Sequence, residues 1–232
     1  MLADTAEMLA AWEAASNVPP AARAAAIVHR AELAEDLDAA LDLPLAKAAA
    51  LAARVHSDAF GAVIDGILRC EACGEELDVT LPLADLNGNA RAAAEAAGLI
   101  VRAPTTRDLI AAGESDDPSR ALMTRCVRDQ DGAPVDPEVL GAEQLAEVDA
   151  VAEELTGAAG LVLRSRCPAC GEDTTAPFDI GALLWEQVER SAHALLTEVA
   201  ELGAAFGWSE DEILALTPVR RRVYLELARG GM

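Results

Sequence analysis

The residues best equipped for chemistry in this sequence are four cysteines in two short runs, Cys70-Glu71-Ala72-Cys73 and Cys167-Pro168-Ala169-Cys170, each followed by Gly-Glu. Two thiolates of a Cys-x-x-Cys turn can reach one ion, and four of them satisfy the tetrahedral preference of a structural zinc. The glycine after each pair, Gly74 and Gly171, permits a turn with positive φ that points amide N–H groups at sulfur. Extended, β-forming segments flank both pairs, Ile64 to Leu83 around the first and Gly160 to Ile180 around the second. This layout is the one internal repeat, and it repeats a turn rather than a domain. The spacing predicts one structural Zn2+ held by Cys70, Cys73, Cys167 and Cys170 in a zinc ribbon of two β-hairpin knuckles.

Two other uses of these thiols fit less well. A redox Cys-x-x-Cys opens a helix, whose N-terminus lowers the thiol pKa. Here Glu71, Glu75, Glu76, Glu172 and Asp173 surround the pairs, and negative charge opposes a reactive thiolate. A catalytic zinc needs an open coordination position, and four cysteines would close the shell. His29, His56 and His193 are scattered without ligand spacing and read as surface or partly buried helix residues. Cys126, in the run RALMTRCV, reads as a small hydrophobe packed in a core.

The rest of the chain must position the knuckles. Of 232 residues, 52% are apolar but only 3% aromatic, so Ala, Leu and Val supply the core and favour helix. The expected fold is mainly α, in four parts. Residues 1–60 form an N-terminal helical region with breaks at Pro19-Pro20 and near Pro44, its first stripe being Leu2, Met8, Leu9 and Trp12. Residues 61–83 and 160–178 are the two halves of the ribbon, and 84–159 are a helical insertion between them. That insertion includes a helix opened by Thr105 and a longer acidic helix from Pro137 to Leu155. Residues 179–232 carry a long amphipathic helix, Ile180 to Phe206, ended by Gly207. A short helix capped by Ser209 and Glu212 follows, and then one opened by Thr217-Pro218.

Charge narrows the function classes. The chain has 18 basic and 40 acidic side chains, a formal net charge of −22. Such a surface repels nucleic-acid phosphates and anionic lipid headgroups, so neither is expected as a partner. No segment has the roughly 20 apolar residues of a membrane span. The N-terminus lacks the basic start and apolar run of a signal peptide, so a cytoplasmic protein is expected. No phosphate-binding loop or nucleophile elbow occurs, and no acid/base pair stands out among so many carboxylates. We therefore expect neither an enzyme nor a small-molecule substrate. The run Arg220-Arg221-Arg222 is the one concentrated basic patch. It is either a solvated helix face pairing with Glu226 or a docking site for an acidic partner surface. Trp208 and Tyr224 nearby either anchor helix packing or join that contact.

The C-terminal third also carries a resemblance. The string FDIGALLWEQVERSAHALLTEVAELGAAFGWSEDEILALTPVRRRVYLEL resembles the end of baseplate-type proteins encoded with contractile phage tails and phage-tail-like injection particles. In them a long helix leads to a Trp-Ser-Glu-x-Glu-Ile-Leu-x-Leu turn and an arginine-rich helix ending in Tyr-Leu. The matching residues are Trp208, Ser209, Glu210, Glu212, Ile213, Leu214 and Leu216, then Arg220, Arg221, Arg222, Tyr224 and Leu225. VRAPTTRDLIAA and ALMTRCV are similar to the central segment of that family, and the paired knuckles to its injection-system members. The resemblance spans roughly residues 60 to 228. It implies an accessory protein, similar to a hub assembly chaperone, that binds baseplate, hub or tail-tube proteins. A nucleic-acid-associated zinc-ribbon accessory factor and a thiol oxidoreductase are the alternatives.

Overall fold

A computed structural model describes residues 4–86 and 91–230, so Leu2 lies outside the described residues. Asp4 opens α1 (Thr5–Ser16) by accepting a hydrogen bond from the Ala6 amide at 3.2 Å. Pro20 starts a single 3-10 turn that leads into α2 (Arg23–Arg30). The short α3 (Leu37–Leu41) follows, and α4 (Leu45–Phe60) begins directly after Pro44. Apolar positions of α1, α2 and α4, among them Met8, Ala11, Ile27, Ala52 and Val55, meet Ile180, Leu184, Trp185 and Val188 in the largest core. Ile27, Leu184 and Val188 are wholly buried. Each such side chain contributes about 1.5–3 kcal/mol relative to exposure.

Two antiparallel hairpins stand where the cysteine runs predict extended chain. The first is β1 (Val63–Arg69) with β2 (Glu76–Pro82). Between the hairpins, residues 84–159 depart in part from the helical expectation. They form a three-stranded antiparallel sheet of β3 (Ala93–Ala96), β4 (Leu99–Arg102) and β5 (Val127–Arg128). Alanines favour helix by propensity, but here the chain reverses at Ala97 and Gly98, with φ of 52° and 76°. Reversal lets Ala96, Val101 and Val127 bury against Val148 and Leu155 of a neighbouring helix. The helices of this part are α5 (Thr106–Gly113), α6 (Pro118–Cys126) and α7 (Ala142–Thr156). Thr105 caps α5 as expected, in a capping box with Asp108. The acidic helix starts at Ala142 rather than Pro137, because Pro137–Val139 is a 3-10 turn and Gly141 is the N-cap.

The second hairpin is β6 (Val162–Arg166) with β7 (Asp173–Pro177), and β7 packs beside β1. Asp179 then accepts from the Gly181 and Ala182 amides and opens α8 (Ile180–Phe206). Its 27 residues span about 40 Å. Gly207, at φ 71°, ends it in the left-handed conformation. Ser209 and Glu212 form the capping box of α9 (Glu210–Leu214), and α10 (Pro218–Gly230) closes the described chain. One half of α8 packs on α1, α2 and α4, and the other half on α9 and α10, where Leu202, Ile213 and Leu225 form a small core. Among the described residues no helix is long and apolar enough to cross a membrane.

Candidate metal centre

The two cysteine turns are near copies of each other. Between β1 and β2, the Cys70 amide donates to the Glu75 carbonyl and the Gly74 amide to the Cys70 carbonyl, both at 2.8 Å. Between β6 and β7, the Cys167 amide donates to the Glu172 carbonyl at 2.8 Å and the Gly171 amide to the Cys167 carbonyl at 2.9 Å. Gly74 and Gly171 share a φ of 79°, a backbone that side-chain-bearing residues rarely adopt.

Packing the turns together brings all four sulfurs within 4.8 Å of one another, so they could hold a metal ion. This is the one such group of His, Cys, Asp or Glu among the described residues. The close approaches run between the hairpins: Cys70 Sγ to Cys170 Sγ at 3.7 Å and Cys73 Sγ to Cys167 Sγ at 3.6 Å. The first cysteine of each pair is buried and the second exposed, which would place an ion just below the surface between the turns. Leu68 and Leu77 pack directly beneath the buried pair.

Hydrogen bonds already converge on the sulfurs. The Thr174 hydroxyl, followed by the amides of Cys73 and Ala72, draws the Cys70 thiol down to about 6. The Glu75 amide favours the Cys73 thiolate, but the neighbouring sulfurs of Cys170 and Cys167 outweigh it and push that thiol up to about 12. The Glu172 amide acts on Cys170 in the same sense, joined by the Cys73 sulfur, but partial desolvation and the sulfurs of Cys167 and Cys70 prevail and raise the thiol. Four thiols this close cannot all ionise without a cation to offset them; a divalent ion removes that conflict. Thr174 was missed by sequence reasoning. The signal available was its inward register on β7, buried between the exposed Asp173 and Thr175.

The other expected site residues divide. Phe206 stacks on Trp208 with ring centres 4.8 Å apart, and Tyr224 meets Trp208 edge-on at 4.8 Å. Arg220 and Arg222 are exposed. Arg221 is a correction to the basic patch: it is only 5% exposed, its Nε donating to Glu198 Oε2 at 2.6 Å and Nη1 to the Leu216 carbonyl at 3.3 Å. It faces α8 because its place on α10 is one turn from the buried Leu225. His56 is more deeply buried than the surface or partly buried helix position expected of it; burial lowers its pKa, opposed by its contact with the Gly61 carbonyl. Cys126 is buried as expected, and burial pushes its thiol up.

No protein-family model matches the chain, and no curated protein or solved structure matches it either.

Proposed function

We propose that the four thiolates hold one Zn2+ as a two-knuckle zinc ribbon. In this reading the chain is a non-catalytic structural or assembly factor for the baseplate or hub of a contractile phage-tail-like injection particle. It works in the cytoplasm by binding a partner protein. The observation that carries the metal assignment is the convergence of four sulfurs, with inter-hairpin separations of 3.6 and 3.7 Å. Zn–S bonds of about 2.3 Å in a tetrahedron give edges of about 3.8 Å. A shell closed by four thiolates leaves no position for water or substrate, which supports a structural role. Neither pair opens a helix, since each lies in a turn between strands, so the helix N-terminus of a redox dithiol is absent at both.

The particle assignment rests on the sequence resemblance. What supports it in the fold is the succession of the 27-residue α8, the Gly207–Ser209 turn, α9 and the arginine-bearing α10. On this reading the exposed Arg220 and Arg222 meet the partner, while Trp208, Tyr224 and Arg221 brace the corner by packing against α8 and α9. The test is an affinity pull-down of the tagged chain from its own host, with mass spectrometry of co-purified proteins and zinc analysis of the bait. Tail-tube, hub or baseplate-spike proteins recovered with a zinc-loaded bait are the expected result. A bait that returns alone, or with RNA polymerase or thiol-disulfide substrates, removes the particle reading. A soluble, well-folded Cys70→Ser/Cys167→Ser variant that lacks zinc removes the structural-zinc reading.

A further inference from the structure

Helix α10 is apolar on two opposite sides. Tyr224 and Leu225, with Arg221, face α8 and α9. Val219, Val223 and Leu227 recur every four residues on the opposite face and are 71%, 49% and 60% exposed. Beside Leu227 a groove of about 760 Å³ runs between the ends of α8 and α10, walled by Ala204, Ala205, Ala228, the 40% exposed Phe206 and the mutually paired Glu201 and Arg229. An aliphatic stripe continuous with such a groove is what an amphipathic helix covers when it docks.

Charge selects the occupant. Of the α10 arginines, Arg221 and Arg229 are ion-paired to Glu198 and Glu201, whereas Arg220 and Arg222 are exposed and in no ion pair among the described residues. Glu226 is the one carboxylate on this helix, so the stripe is flanked by net positive charge on a chain of net −22. A second copy is disfavoured, because pairing α10 with itself would set arginines against arginines between two strongly anionic molecules.

We propose that the Val219–Val223–Leu227 face of α10 docks an amphipathic helix of a partner protein whose apolar stripe is flanked by carboxylates. This deepens the partner-binding role above and rests on it for the existence of a protein partner. The probe is a fluorescein-labelled helical peptide of roughly 20 residues with Leu along one face and Glu on its flanks. Its control is a twin with Lys in place of Glu. Titrated with the full-length, zinc-loaded chain, the acidic peptide binds in the micromolar range and the basic twin at least tenfold more weakly. Val223→Glu abolishes binding, and Arg220→Glu/Arg222→Glu weakens it about tenfold and flattens its salt dependence. All three positions are exposed, and circular dichroism with zinc content verifies that the variants fold. Equal binding of the two peptides, no binding of the acidic one, or indifference to Val223→Glu overturns the proposal. So does sedimentation of the chain as an oligomer that Val223→Glu dissociates, which would make a second copy the occupant. A peptide that binds while the pull-down fails removes the particle and keeps this surface; the converse removes the surface alone.

Discussion

Thr174 and Cys70 show how much of the candidate metal centre lies outside its four cysteines. The threonine sits on β7, is 3% exposed, and is the foremost group lowering the pKa of the Cys70 thiol on the other hairpin. The equivalent place in the first hairpin is Leu77, so the two hairpins differ here although their turns coincide. Replacing Thr174 by Val keeps the volume and deletes the donor. Metal affinity should fall by about 10- to 100-fold, as for other residues that orient ligands, with the fold intact. Competition against a metal-chelating indicator measures it, and an unchanged affinity would reduce Thr174 to packing. The cysteines were legible because Cys-x-x-Cys-Gly is a local pattern whose chemistry has few alternatives. Thr174 and Arg221 were not, because a cross-hairpin hydrogen bond and the side of α10 that meets α8 are fixed only by tertiary packing.

At the scale of elements, legibility again followed locality. The bounds of α8, the left-handed Gly207 and the Ser209–Glu212 box are set by residues within a turn of each other, and all stand where the sequence puts them. The sheet β3–β4–β5 was not legible, since its first strand is mostly alanine and pairs only because β4 and α7 cover it. What locks β4, α5 and α6 together is Asp108. Arg102 Nη1 donates to it at 2.7 Å, Arg125 Nε at 2.9 Å, and the Thr105 amide and hydroxyl at 3.0 and 2.9 Å. Burial alone would raise the carboxyl pKa. The bonds from Arg102 and Thr105, then Arg125, outweigh burial and hold it well below the usual carboxylate range. A carboxyl depressed in the folded state binds protons more readily when unfolded. Its contribution is therefore complete above about pH 4 and is lost as pH falls towards the folded value. Asp108→Asn leaves two half-exposed guanidinium groups without their counter-ion and should cost about 2–3 kcal/mol at pH 7. The gap between the urea midpoints of the two proteins should be smaller at pH 3 than at pH 7 and should go on shrinking as pH falls further. A gap of the same size at both pH values would mean that charge is not what Asp108 supplies.

For the whole molecule, the decisive feature is how unequally the cores share the work. The main core joins α1, α2 and α4 to the first half of α8 without any metal. The hairpins have little of their own: Leu68 and Leu77, backed by Val79 and Ala176, beneath the thiols. Two-stranded hairpins are marginal in water, so four thiolates around an ion should supply most of what fixes β1–β2 against β6–β7. Structural zinc is worth about 10–16 kcal/mol in small peptides that fold only with it. The effect here should be smaller and regional, because α4 and α8 already anchor one end of each hairpin. We expect a strong chelator at neutral pH to strip amide-exchange protection from residues 63–82 and 162–177 while α1, α4 and α8 remain protected. Acidification should release the metal in the same way, since protons compete for the four sulfurs. Hydrogen exchange with mass spectrometry reads both regions in one experiment. Collapse of α1, α4 and α8 together with the hairpins would mean that the metal holds the entire molecule. Unchanged hairpin protection would mean that the thiols pack adequately without an ion, and a metal would then be incidental to the fold.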